Sequence, residues 1–190
     1  MIPLNDFEIR QNLILRLNNQ RFKPRAVLEE LRVHNGNAIA DVVALYEEAH
    51  CYEIKGSNDK IERIVKQGFF YDTSFRKITL VTTENHLEKA QILAPQYWGI
   101  ILVKKVKDKC TFKSIRTAKN NPNFTKNLAS LMLWKSEMLQ LLEHQKLNSK
   151  PREFLAKKLS DSRKKVELNY EICNLLFDRY KDQYSREEHL

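Results

Sequence analysis

The spacing of apolar residues divides the chain into an N-terminal part that mixes helices with strands and a C-terminal part that is helical. Apolar side chains at helical spacing over residues 4–18 predict a first helix, with Asn5 or Asp6 as its N-cap. Pro24 is expected to open a short helical turn. The pattern then changes to that of paired strands.

The Asn35-Gly36 pair is a strong hairpin signal because both residues tolerate the left-handed backbone of a tight turn. Two apolar runs follow it, residues 38–46 and 50–55, with a polar turn between them. A strand that begins near Leu28 would precede them. We therefore expect two or three antiparallel strands in succession.

From residue 50 onward, strand and helix patterns alternate. The predicted elements are a helix over 59–75, a strand over 77–83, a helix over 84–93 and a strand over 98–106. Strands joined through helices are usually parallel neighbours. The fold class predicted is therefore α/β, with antiparallel strands followed by parallel ones.

The last third of the chain is helical and forms the predicted C-terminal extension. The predicted helices are one long helix over 128–142, a shorter one over 152–160 and a last one over 163–182. The polar segment 117–123 is the expected boundary. We accordingly divide the chain into a core, residues 1–118, and a basic helical extension, residues 119–190.

Charge and cysteine content narrow the class of protein. The net charge is +9, and residues 113–190 contribute +6 of it, with 16 Lys and Arg against 10 Asp and Glu. A basic chain favours an anionic partner, although many basic proteins only have a lysine-rich surface. Three cysteines without a CxxC pair indicate reduced thiols, and no stretch reaches the roughly 18 apolar residues of a membrane span. We expect a cytoplasmic protein.

The candidate chemistry lies in the segment Tyr52-Glu53-Ile54-Lys55. Alternate side chains of a strand share a face, so Glu53 and Lys55 project together. Asp41 lies in the preceding strand, and pairing of the two strands would bring its carboxylate beside that of Glu53. Asp41 and Glu53 are the predicted ligands of a divalent metal.

Hydrolysis of a phosphodiester bond uses such a trio. Mg²⁺ needs only one or two carboxylates, and a bound metal activates water and polarises the phosphate. Lys55 would position that water and neutralise developing charge. The alternative is an ordinary cross-strand pair of opposite charges.

The helix after this strand adds two polar side chains. Gln67 and Tyr71 are four residues apart and share one helical face, with Arg63 and Lys66 close by. Gln67 and Tyr71 would contact the nucleic-acid backbone or position the catalytic lysine. In the alternative interpretation, Tyr71 joins the neighbouring phenylalanines in the core.

These residues resemble those of a known superfamily. Asp41, Glu53-Ile54-Lys55 and Gln67-x-x-x-Tyr71 resemble the D…(D/E)-x-K and Q-x-x-x-Y motifs of the PD-(D/E)XK nucleases, in particular their exonuclease-like branch. A wider set is similar to one bacterial family of uncharacterised proteins known by an open-reading-frame label. That set comprises residues 36–41, 52–55, 80–81, 86–90 and 98–101 with Asp59, Arg63 and Gln67, and the similarity covers roughly residues 5–105.

The resemblance implies a restriction-endonuclease-like core with a central mixed β-sheet flanked by helices, dependence on Mg²⁺ or Mn²⁺, and DNA as substrate. It also implies a further acidic metal ligand, for which Glu30 fits best and Glu8 on the first helix is the alternative. Gly68 departs from the pattern, since a larger apolar residue is usual there, and a glycine weakens a helix by about 1 kcal/mol.

Basic residues cluster in the C-terminal helices. Lys157, Lys158, Arg163 and Lys164 lie around one helix junction and, with Arg63 and Lys66, are the candidate contacts to nucleic-acid phosphates. A helix-turn-helix around 137–160 is conceivable. The alternative is a packing module, or an interface to a second copy or a partner protein through residues 124–182.

The function predicted from the sequence is that of a metal-dependent nuclease, with DNA as expected substrate and RNA an open alternative. A catalytically silent nucleic-acid-binding or scaffolding subunit on the same fold is the second hypothesis. Metal binding at Asp41 and Glu53 would distinguish them.

Overall fold

A six-stranded mixed sheet with helices on both faces forms the framework of the protein. The computed structural model describes residues 3–107, 109–143 and 145–187. The strands are β1 (Ala26–Val33), β2 (Ala38–Leu45), β3 (Ala49–Lys55), β4 (Lys77–Thr82), β5 (Gly99–Val106) and β6 (Lys109–Arg116). The helices are α1 (Asp6–Asn18), α2 (Arg63–Ser74), α3 (Glu84–Leu93), α4 (Lys126–Ser130), α5 (Lys135–Leu142), α6 (Arg152–Ser162) and α7 (Lys165–Glu187).

The strands follow the chain in the order β1-β2-β3-β4-β5-β6. β1, β2 and β3 are antiparallel, β3, β4 and β5 are parallel, and β6 returns antiparallel to β5. The predicted α/β fold with a mixed sheet is confirmed, as are its antiparallel start and its parallel middle. The sequence analysis missed β6, whose alternating exposed and half-buried residues lie on the open edge of the sheet.

The N-terminal elements match their local signals except at Pro24. Asn5 is the N-cap of α1, since its side chain accepts a hydrogen bond from Glu8 N at 2.8 Å. The short 3-10 turn at His34–Gly36 joins β1 to β2, as the Asn35-Gly36 pair predicts. The helical turn expected at Pro24 is wrong, because Arg25 N already donates to Leu45 O at 2.7 Å and the chain runs extended into β1.

Each face of the sheet has its own apolar cluster. On one face, α1 packs Ile9, Leu13 and Leu17 against Val42 and neighbouring apolar residues of β2, β3, β4 and β5. On the other, α2, α3 and the C-terminal helices bury Trp98 and Phe75 in a larger cluster. The C-terminal helices therefore share a core with the sheet. Whether residues 1–118 fold without residues 119–190 stays a prediction.

The helix expected over 128–142 is wrong as a single element. It is divided into α4 and α5, and Arg152 Nη2 donates to Leu131 O at 2.7 Å and to Leu133 O at 2.6 Å in the break. Carbonyls bound to a guanidinium need no partner from a continuing helix. α7 is the longest helix at 23 residues, but no helix within the described ranges is both long and apolar enough to cross a membrane.

Candidate active site

The β2–β3 ladder ends where the candidate residues begin. The last paired residues are Val42 and Tyr52, and continuing this register would put Asp41 opposite Glu53. Beyond the ladder, the Asp41 carboxylate accepts in place of a backbone carbonyl, since its Oδ2 accepts a hydrogen bond from Ile54 N at 2.7 Å. Pairing of the two strands thus brings the two carboxylates into one neighbourhood, as the sequence predicts.

Glu53 and Lys55 form a buried ion pair. The Glu53 side chain is 0% exposed and that of Lys55 7%, and Lys55 Nζ donates to Glu53 Oε1. Among the described residues, the second oxygen, Glu53 Oε2, is buried without a hydrogen-bond partner. A carboxylate at this depth is rare unless its charge is compensated. The Lys55 ammonium binds only one of its two oxygens.

The carboxylate of Asp41 is shifted toward its protonated form. Burial, and next the charge of Glu53, raise the pKa of Asp41 to about 8. The Ile54 N–H and the Lys55 ammonium oppose this shift without cancelling it. Two carboxylates that share a buried site behave in this way, because both cannot be charged without a cation. At neutral pH Asp41 is largely a neutral acid.

Gln67 and Tyr71 lie on the face of α2 that covers this site. The Tyr71 phenol donates to Ile39 O at 2.8 Å, and Gln67 Nε2 donates to the phenol oxygen at 3.5 Å. Gln67 Oε1 is buried and has no partner. Burial, followed by the charge of Glu53, raises the pKa of Tyr71. Tyr71 is fully buried in the core cluster, which confirms the alternative interpretation. Its hydrogen bond to Ile39 O also anchors α2 to the segment that carries Asp41, and its role toward the lysine or the nucleic acid stays a prediction.

Gly68 has a packing reason that the sequence did not reveal. A Cβ at this position would lie 3.4 Å from two ring carbons of Trp98. The missing side chain lets the fully buried indole pack closely on α2. Trp98 Nε1 also donates to Asp72 Oδ1 at 2.7 Å, so the same indole contacts α2 again one turn further along. Trp98 therefore holds α2 in place at Gly68 and at Asp72, although Gly68 departs from the family pattern.

Sequence reasoning missed two residues of α1 beside the site, Asp6 and Arg10. Arg10 donates to Asp6 Oδ2 at 2.9 Å and to Glu30 Oε1 at 2.8 Å. Burial opposes its charge, but the hydrogen bond to Glu30 and the charges of Asp6 and Asp41 raise its pKa. Asp6 Oδ1 is buried and has no partner in the part of the chain that the structure describes, and the charge of Asp6 contributes to the raised pKa of Asp41.

Gly56 explains how the start of α1 reaches the site. A Cβ at Gly56 would lie 2.9 Å from Leu4 O and 3.0 Å from Asp6 N. Ser57 N donates to Leu4 O at 2.8 Å in the same contact. The end of β3 and the first turn of α1 can approach only because residue 56 has no side chain. In the sequence, the only indication of the Asp6–Arg10 pair was its spacing of four residues, which is common to many helices.

The two candidates for a further acidic ligand point elsewhere. Glu30 lies between the Glu29–Val42 and Leu31–Ala40 pairs of β1 and β2, level with Asp41 and at a φ of 53°, but its exposed carboxylate is bound to Arg10. Glu8 is paired with Lys105 at 2.7 Å. Within the described ranges, no group of three or more His, Cys, Asp and Glu side chains is placed to hold a metal ion. Asp41 and Glu53 therefore remain the candidate pair.

The residues proposed to contact nucleic acid are mostly exposed. Arg63, Lys66, Lys158 and Lys164 face solvent on α2, on α6 and before α7. Lys157 is paired with Asp161 at 3.1 Å. Arg163 is the exception, because it binds Glu171 at 3.0 Å and Leu141 O at 2.9 Å and so joins three C-terminal segments.

Comparison with known proteins gives a family but little else. No curated protein matches the chain. The SPO1766 protein of unknown function from Silicibacter pomeroyi is a structural neighbour with a TM-score of 0.41 and 17% identity, over 65% of this chain and 80% of that one. The family model described as bacteriophage P4 protein cII matches residues 3–188. Because this match spans nearly the whole sequence, the chain belongs to the bacteriophage P4 protein cII family.

Proposed function

We propose that this protein is a nuclease that depends on Mg²⁺ or Mn²⁺ and hydrolyses phosphodiester bonds in DNA. The observation that carries the proposal is the pair of carboxylates, half-buried Asp41 and fully buried Glu53, at the end of the β2–β3 ladder, with Lys55 paired to Glu53. The resemblance to the PD-(D/E)XK motifs assigns the same three residues.

The residues present fit a divalent cation. Glu53 Oε2 is a buried oxygen without a partner, and Asp6 Oδ1 is another close to Asp41. Asp41 and Glu53 would bind the metal, which requires Asp41 to lose its proton. Mg²⁺ or Mn²⁺, when bound there, supplies the Lewis acidity that activates water toward a phosphodiester.

The remaining residues have roles that follow from their contacts. Lys55 is held at the site by Glu53, where its ammonium can orient a water molecule and neutralise an anionic phosphate oxygen. Gln67 Oε1 is an unpaired acceptor that can fix a water or a sugar hydroxyl. Tyr71 acts as a positioning residue, since its phenol ties α2 to Ile39, two residues before Asp41.

DNA is the proposed substrate because the net charge is +9 and an anionic polymer is attracted to a basic chain. We also propose that the protein acts in the cytoplasm. Its three cysteines are free thiols in the structure, which fits a reducing compartment.

The experiment is a cleavage assay on single-stranded, duplex and nicked DNA with Mg²⁺, Mn²⁺ or EDTA. Asp41→Asn and Lys55→Gln are compared with Asp161→Asn and Lys113→Gln, which remove the same groups from exposed positions. We expect cleavage that requires metal, falls at least a hundredfold in the first two variants and persists in the controls. Metal-dependent cleavage that survives in Asp41→Asn would refute the assignment of the site.

A second function is favoured by one observation. Lys55 already satisfies one oxygen of Glu53, and in the described part of the chain no group of three or more His, Cys, Asp and Glu side chains is placed to hold a metal ion. Such a site suits a nucleic-acid-binding or scaffolding subunit without turnover, with residues 124–182 as the interface to a second copy or a partner. Calorimetry with Mn²⁺ separates the two, because a scaffold need not bind metal at Asp41 and Glu53.

A further inference from the structure

A groove runs along the open edge of the sheet, beside β1. Its volume is about 970 Å³, and it lies between β1 and the C-terminal helices. One wall is formed by β1 from Ala26 to Arg32, and the other by the break between α4 and α5, the start of α6 and the C-terminal part of α7. β1 has a strand neighbour on one side only.

The groove contains a surplus of positive charge. Arg25, Arg32 and Arg152 line it, and none of the three forms an ion pair with Asp or Glu in the described part of the chain. Arg25 and Arg152 bind an amide oxygen and backbone carbonyls instead, and Arg152 Nε is buried with no hydrogen-bond partner among residues 3–107, 109–143 and 145–187. Glu29 and Glu30 also line the groove, but Arg10 lies against both. An anionic ligand is therefore favoured.

An exposed aromatic ring lies in the same groove. Trp134 is 52% exposed although it lies among buried residues, and the Arg179 guanidinium stacks 4.3 Å from its ring centroid. Exposed indoles beside cationic groups are the usual platforms for unpaired bases. The charge of Arg179 is itself balanced by Glu137, so its role there is to orient the indole.

The groove leads toward the candidate active site. Glu30 lines it and lies level with Asp41 in the β1–β2 pair. Arg10 bridges Glu30 to Asp6, and Asp41 is close enough to raise the pKa of Arg10. One strand therefore separates the groove from the buried carboxylates.

We propose that this groove binds a single-stranded segment of nucleic acid, with Arg25, Arg32 and Arg152 on its phosphates and Trp134 against a base. That the bound strand continues to Asp41 and Glu53 for cleavage rests on the proposed nuclease function. The binding itself does not.

Two other occupants fit less well. An extended peptide would have to pair with the edge of β1, but the left-handed backbone of Glu30, at a φ of 53°, interrupts that edge in the middle. A duplex could place only part of its surface in a groove of 970 Å³, a volume at the upper end of ordinary small-molecule sites, about 300–1,000 Å³. The groove accommodates a few nucleotides of one strand.

The test measures binding in EDTA, where metal-dependent cleavage cannot occur. Fluorescence anisotropy with labelled oligothymidylate, and with its duplex with oligoadenylate, is compared for the wild type, Arg32→Glu, Trp134→Ala and Lys113→Glu. Arg32 and Lys113 are matched, because both are exposed and lie on the two edge strands, β1 and β6. Thermal unfolding confirms that each variant is folded.

We expect single-stranded DNA to bind more tightly than the duplex. Arg32→Glu should lower the affinity about tenfold and reduce its salt dependence by about one counterion, and Trp134→Ala should lower it about tenfold. Lys113→Glu should change it less than twofold. Unchanged affinity in Arg32→Glu, tighter binding of the duplex, or no binding of single-stranded DNA would overturn the proposal. If the wild type binds single-stranded DNA in EDTA but does not cleave DNA with Mg²⁺ or Mn²⁺, the proposed nuclease function is contradicted and the groove proposal is not.

Discussion

The two ends of the β2–β3 pair differ in almost every physical respect. At one end, residues 42–45 and 49–52 form a regular antiparallel ladder whose apolar side chains are buried in the clusters on both faces. At the other end, Asp41, Glu53 and Lys55 occupy the same two strands, the ladder has stopped, and a carboxylate takes the place of a backbone acceptor. The buried apolar side chains at the first end stabilise the fold, whereas burial of charged groups at the second end lowers the free energy of unfolding.

The largest difference is expected when the polar end loses its internal cation. Lys55→Met leaves the fully buried Glu53 carboxylate without a counter-charge, and we expect a loss of about 3–5 kcal/mol in the free energy of unfolding. Urea denaturation at pH 7 measures it. The double variant Glu53→Gln with Lys55→Met should recover most of the loss. Equal stability of the wild type and the single variant would show that the pair is not buried in solution.

A substitution at the apolar end should cost somewhat less and leave the site intact. Leu45 is fully buried, so Leu45→Ala should lower the free energy of unfolding by about 3 kcal/mol through lost contacts and a cavity. Binding of Mn²⁺, measured by calorimetry on the folded variant, should change less than twofold. A large loss of metal affinity would contradict the separation between the two ends.

The two ends should also respond differently to pH. The pKa of Asp41 is raised to about 8 in the folded protein from its ordinary value of 3.8, so its stabilising contribution is complete below pH 3.8 and is lost as pH rises through 8. His50 acts in the opposite direction, since burial lowers its pKa from 6.5 to about 3, but only below pH 6.5.

Between pH 6.5 and 8, therefore, the stability of the wild type should fall by up to about 1.4 kcal/mol per pH unit because of Asp41. Asp41→Asn should remove this slope, and Leu45→Ala should retain it. Chemical denaturation at four pH values across the window measures the slopes. The same slope in wild type and Asp41→Asn would mean that Asp41 titrates normally.

The smallest effect is expected for an ion pair that is not buried. Lys157 and Asp161 are 3.1 Å apart on α6, and both side chains are more than half exposed. Lys157→Gln should lower the free energy of unfolding by only about 0.3–0.5 kcal/mol, and the difference should disappear in high salt. A loss comparable to that of Lys55→Met would show that burial is not what separates these two pairs.

Much of the framework follows from local signals. The Asn35-Gly36 turn and the alternation through Tyr52-Glu53-Ile54-Lys55 suffice to predict the hairpin and the shared face of Glu53 and Lys55. Both features could be predicted because each depends only on residues that are close together in the chain. β6 was missed because an edge strand with one solvated face needs few apolar residues.

The rest of the site depends on contacts between distant segments. Asp6 and Arg10 reach Asp41 only because Gly56 allows the start of α1 to touch the end of β3, and nothing in residues 4–10 announces that approach. The break between α4 and α5 likewise depends on Arg152, which binds the carbonyls of Leu131 and Leu133. Periodicity registers apolar spacing but not a guanidinium some 20 residues away.

The position of α7 has a consequence for the order in which the protein is made. Its side chains contact the start of the sheet across 121 residues at Glu48, 127 at Tyr46 and 149 at Arg25. At a translation rate of about 5–20 residues per second, β1, β2 and β3 leave the ribosome several seconds before the helix that covers them. For that interval Tyr46, Leu45 and their neighbours lack part of their native cover, and a nascent chain with an uncovered apolar face is a substrate for chaperones.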